Sequence, residues 1–100
     1  MIVVRNVFQV KFGKAKEAVT AWKELLEVGR RLGFPGKSRL MTDLVGDFYT
    51  IVFENTFDSL AAFESGLGSM MGKPEFQAAY AKVVALTESG RREIFNLVAE

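Results

Sequence analysis

The strand-like stretches of this chain are apolar on both faces, and that constrains its architecture more than any motif. Val3, Val4, Val7 and Phe8 near the start, the run Phe48-Tyr49-Thr50-Ile51-Val52-Phe53 in the middle, and Ile94, Phe95, Leu97 and Val98 near the end put apolar side chains on odd and even positions alike. A strand sends alternate residues to opposite sides of its sheet, so such runs need cover on both sides. The helical segments of so small a chain can shield only one face. The other face calls for a second copy, and a homodimer is the expected association.

At 100 residues, a single domain spanning 1–100 is expected, and at 49% hydrophobic with 12% aromatic it holds more apolar material than a small monomer needs. A net charge of +1, with no basic stripe interleaved with aromatics, points away from nucleic acid. The chain has no cysteine, which removes disulfides and thiolate chemistry and fits a reducing compartment. It also has no histidine, which removes the usual general base near neutral pH and the commonest metal ligand, so no metal site is expected. Met-Ile-Val-Val-Arg is too short and lacks a basic region for a signal peptide, and no apolar run reaches membrane-span length. A cytoplasmic protein with no membrane partner is the expectation.

The periodicity predicts a strand over 1–12, with Ile2, Val4, Asn6, Phe8 and Val10 on one face and Val3, Arg5, Val7, Gln9 and Lys11 on the other. From Lys14 the spacing becomes helical, with Ala15, Ala18, Val19, Trp22, Leu25, Leu26, Gly29 and Leu32 on one stripe. Glu27 and Arg31 are spaced for a helical ion pair, and Gly33 is expected to end the helix. A hairpin follows: a strand over 37–44, a tight turn at Val45-Gly46-Asp47 and a strand over 48–55. Thr56 is the expected cap of the next helix, which weakens at its glycines and renews at Pro74. Gly90 is expected to close it before a last strand over 91–98. The order strand-helix-strand-strand-helix-strand makes this an α+β, ferredoxin-like βαββαβ chain with a four-stranded antiparallel sheet and its helices on one side.

With that layout, Arg5-Asn6-Val7-Phe8-Gln9-Val10-Lys11-Phe12-Gly13-Lys14, Val52-Phe53-Glu54-Asn55-Thr56 and Pro74-Glu75-Phe76-Gln77-Ala78-Ala79-Tyr80 resemble the dimeric α+β barrel superfamily. That group includes antibiotic biosynthesis monooxygenases, haem-degrading monooxygenases and NIPSNAP-type domains. The resemblance implies two such sheets packed face to face as a barrel. It further implies a small, aromatic organic molecule in a pocket between sheet and helices, oxidised by a cofactor-independent monooxygenase. The alternative is a non-catalytic NIPSNAP-like ligand-binding or protein-assembly domain, and the residues leave open whether the chain is an enzyme. Against the haem-degrading members, their strand asparagine corresponds to Asn6, their tryptophan falls on Phe53 and their iron-ligating histidine falls on Tyr80. The iron ligand is replaced, and no cofactor is expected.

The candidate substrate-binding residues are Asn6, Phe8, Trp22, Phe53 and Tyr80. The strand members share the helix-side parity, and Trp22 and Tyr80 lie on the inward stripes of their helices. Asn6 interrupts an apolar row, so its amide serves either a structural hydrogen bond or an oxyanion of a ligand. Trp22 and Tyr80 read first as core residues, with a stacking ring and a phenol donor as the alternative roles. Arg30, Arg31, Lys37 and Arg39 cluster where helix hands over to strand, explained by helix-end electrostatics and edge protection as readily as by an anion site. Arg5, on the outer face, needs a carboxylate, and Glu54 is the expected one.

Overall fold

The computed structural model describes residues 1–99. The elements are β1 (Ile2–Val10), α1 (Ala15–Arg31), β2 (Lys37–Thr42), β3 (Thr50–Phe57), α2 (Leu60–Met71), α3 (Pro74–Ala85) and β4 (Thr87–Asn96). The strands form one four-stranded sheet in the order β2-β3-β1-β4, antiparallel at every pairing. This is the expected α+β, ferredoxin-like arrangement, with the second helical region divided in two before Pro74.

Parity follows the prediction. Asn6 stands opposite Phe53 and Arg92, and Phe53 opposite Leu40, so one cross-strand row on the helix side reads Leu40–Phe53–Asn6–Arg92. The helix-side core lies in two separate clusters. Val10, Trp22, Leu25, Val28, Ile51, Met70, Phe76, Ala79 and Val83 belong to one, and Ile2, Val4, Phe57 and Phe63 to the other. On the outer face, Arg39 stands opposite Glu54, Glu54 opposite Arg5, and Arg5 opposite Glu93, a row of alternating charge across all four strands. The apolar residues Val3, Val52 and Met41 beside it are half-buried, whereas Val7 is already buried within the chain.

α1 ends as predicted, in a Schellman turn: the N–H of Gly33 donates to Arg30 O and the N–H of Phe34 to Gly29 O, with Gly33 at φ +86°. Other boundaries move. Phe48 is not a strand residue but lies in the hairpin loop 43–49, 75% exposed, because Asp43 closes the hairpin early. Its Oδ1 accepts from Thr50 N at 2.9 Å, and the Thr50 hydroxyl donates to Asp47 O. Thr56 is not a cap. β3 continues to Phe57, which is 3% exposed and paired with Ile2, and the burial of that ring keeps the strand extended past Thr56. Ser59 caps α2 instead, its Oγ accepting from Ala62 N at 3.1 Å. Ser59→Ala is expected to remove about 1 kcal/mol of stability, read as a lower midpoint in urea with an unchanged m-value.

Gly90 is not a helix end either. α3 stops at Ala85, and Gly90 lies inside β4 opposite Phe8. A Cβ there would fall 2.5 Å from Phe8 Cδ1, so the missing side chain is the space that the Phe8 ring occupies. The expected Glu27–Arg31 pair is also redistributed: Glu27 pairs with Arg30, and Arg31 reaches Glu75 at 2.6 Å. Arg5 meets Glu93 at 4.0 Å rather than Glu54, whose carboxylate is held by Arg39 at 2.6 Å.

Candidate functional site

Between the two core clusters the helices do not close on the sheet, and a cavity of about 560 Å³ remains. All five residues predicted for the site line it. Asn6 and Phe8 come from β1, Phe53 from β3, Trp22 from α1 and Tyr80 from α3. That volume is within the range of pockets for small organic ligands, about 300–1,000 Å³.

Its wall is aromatic because the apolar parity of two strands meets the inward stripe of α1. Trp22 lies between two phenylalanines, its ring centroid 5.4 Å from Phe8 and 5.3 Å from Phe53, both pairs tilted. Trp22 is only 4% exposed, yet its indole N–H is buried without an acceptor among the described residues. An indole N–H in that position normally finds a partner. Phe76 and Tyr80 stack at 6.5 Å on α3, but Tyr80 is 38% exposed, so its phenol stands at the opening rather than on the floor. Of the methionines, Met71 lines the cavity, Met70 belongs to the core and Met41 to the outer face.

The polar groups are mostly donors. Asn6 is 7% exposed, and its Oδ1 accepts from Arg92 Nε at 2.7 Å, which leaves its NH2 to donate. The guanidinium of Arg92 sits 5.2 Å above the centroid of Phe63, a cation–π contact that fixes its plane. Asn55, 2% exposed, has its Oδ1 buried without a donor among the described residues. No aspartate or glutamate is among the lining residues. Such a set can orient an oxygen-bearing aromatic molecule and stabilise negative charge on it, but supplies no carboxylate or imidazole as a base.

Arg92, Asn55 and Phe63 were not among the predicted site residues. Asn55 carries the signal that singled out Asn6: an amide interrupting an apolar row, here Ile51, Phe53 and Phe57. Arg92 could be placed only by the β1–β4 register. Of the cation cluster, Arg30 lines the cavity but is held by Glu27, Arg39 turns its guanidinium to Glu54 on the outer face, and Lys37 lies at the rim on the edge strand.

No protein-family model matches the chain, and no curated protein matches it in sequence. Solved structures match it closely in fold. A NIPSNAP domain protein from Burkholderia xenovorans superposes with a TM-score of 0.88 at 19% identity, over 99% of this chain and 96% of that one. An antibiotic biosynthesis monooxygenase gives 0.76 at 18% identity, over 99% and 100%. SnoaB, a cofactor-independent oxygenase from Streptomyces nogalater, gives 0.74 at 19% identity, over 99% and 94%. The chain has the fold that NIPSNAP domains and these monooxygenases share, as its strand and helix motifs implied.

Proposed function

We propose that this chain is a cytoplasmic homodimeric barrel that binds a small aromatic molecule in the cavity between sheet and helices. One observation carries this reading: a cavity of about 560 Å³ whose wall brings together Asn6, Phe8, Trp22, Phe53 and Tyr80. A fully packed core leaves no such space. In a cofactor-independent oxygenase the electrons for oxygen reduction come from the substrate itself. An electron-rich hydroxyaromatic gives up its proton and is oxidised by dioxygen, one oxygen atom entering the ring and the other leaving as water. The donors of Asn6 and Arg92 would hold the oxyanion that precedes this step. The fold similarity to SnoaB favours that chemistry. The non-catalytic alternative keeps the same cavity and the same donors.

Asn6→Leu separates a ligand role from a structural one. The amide is 7% exposed and bonded to Arg92, so the change removes the anchor of that guanidinium and fills polar space with a methyl fork. The expected result is a fold of nearly unchanged Tm that no longer shifts with aromatic phenols from a thermal-shift library, while the unmodified protein does. A fall in Tm of about 8 °C or more, with no ligand stabilising the unmodified protein, would instead assign Asn6 to structure. Oxygen uptake with each stabilising phenol then distinguishes oxygenase from binding protein.

A further inference from the structure

We infer that the ligand of this cavity is an aromatic anion, its negatively charged oxygen held by Arg92. This assignment rests on reading the cavity as a ligand site. Of the three arginines along the lining, Arg30 pairs with Glu27, and Arg39 turns its guanidinium to Glu54 on the outer face of the sheet. Arg92 alone of the three meets no carboxylate among the described residues. Its Nε donates to Asn6 Oδ1 at 2.7 Å, and its plane lies over Phe63, so one edge of the fork is already spent. The terminal N–H groups are left to donate, the geometry that matches a carboxylate or phenolate oxygen.

The lining itself argues for the sign of the ligand. No acidic residue lines the cavity, and Arg92, an exposed residue, is solvated there by water. A neutral aromatic guest would displace that water without compensating the guanidinium, whereas an anion neutralises it. The aromatic body of the guest lies against the rings of Phe8, Trp22 and Phe53, which pack together on the sheet side of α1.

The test compares 2-naphthoate with its neutral counterpart 2-naphthamide. Trp22 is the one tryptophan in the chain, so quenching of its fluorescence reports occupancy of this cavity, and calorimetry gives the affinity. Naphthoate is expected to bind the intact protein about 10- to 100-fold more tightly than naphthamide. Arg92→Gln keeps a donor for Asn6 and is expected to abolish that preference, weakening naphthoate far more than naphthamide. Arg92→Lys, which keeps the charge without the fork, is expected to retain part of it.

Equal binding of the two probes by the intact protein overturns the anion assignment and leaves the cavity reading standing. A preference that survives Arg92→Gln undiminished also overturns it, placing the anion on another cation. If neither probe quenches Trp22 at millimolar concentration, the cavity reading fails and the assignment falls with it. The comparison of the two probes on the unmodified protein decides the question even if a variant fails to fold.

Discussion

Gly36→Ala is expected to lower stability by about 3 kcal/mol, a fall in Tm of about 15 °C for a chain of this size. Gly36 joins α1 to β2 with φ +93°, and a Cβ there would lie 2.6 Å from the backbone oxygen of Thr56 and 2.7 Å from Asn55 Oδ1. The obstacle is backbone of the neighbouring strand, which cannot swing aside as a side chain can. Yielding would push the loop off β3 and disturb Asn55 at the cavity wall. Gly33→Ala is the control. It has nearly the same φ, +86°, but open space around it, so it reports the handedness of the backbone without the crowding. If both variants lose equally little in thermal melts, close approach at Gly36 is not what holds the β2 edge against Asn55.

Val52→Asp is expected to dissociate the proposed homodimer. Val52 stands opposite Val7 and Met41 on the face that no helix covers, and it is half-buried before any partner arrives. A carboxylate there meets Glu54 two residues along the same face and must be desolvated when a second sheet closes on it. A penalty of about 3 kcal/mol corresponds to a dissociation constant roughly 150-fold weaker. Sedimentation equilibrium at micromolar concentration should show a dimer for the unmodified protein and a folded monomer for the variant, with naphthoate binding preserved because the cavity lies beyond the sheet. A stable monomer of the unmodified protein would remove the basis for face-to-face packing. The driving force is smaller than side-chain pattern alone suggests. Val7 is buried in the isolated chain, Phe48 lies in a loop, and the middle of the face is occupied by paired charges.

Which residues share a face was legible because side-chain alternation is set by local geometry. Once 1–12 reads as a strand, Asn6 and Phe8 must point together, and the helical period of α1 carries Trp22 to the same side. Which residues meet across strands was not legible, since register depends on hydrogen bonds between distant segments. Lys11 N donates to Leu86 O, and from there β4 runs back along β1 so that Arg92 reaches Asn6 and Gly90 reaches Phe8. Nothing near Arg92 in the chain indicates that partner. Gly90 was misread for a related reason: glycine after a helical stretch signals a cap locally, and only the ring of Phe8, from a distant strand, explains it. Glu54 shows the same limit. It is opposite Arg5, as parity suggested, but Arg39 on its other side competes successfully for its carboxylate.

The alternation of β1 has an evolutionary consequence. Its even positions, Asn6 and Phe8, look into the cavity, while Arg5 and Val7 belong to the opposite surface. A mutation at one parity leaves the other surface chemically intact, so the two can diverge on separate schedules. Lineages built on this strand are free to exchange one guest for another while keeping the same outer face. The reverse path is open as well, and a change of company need not alter the guest.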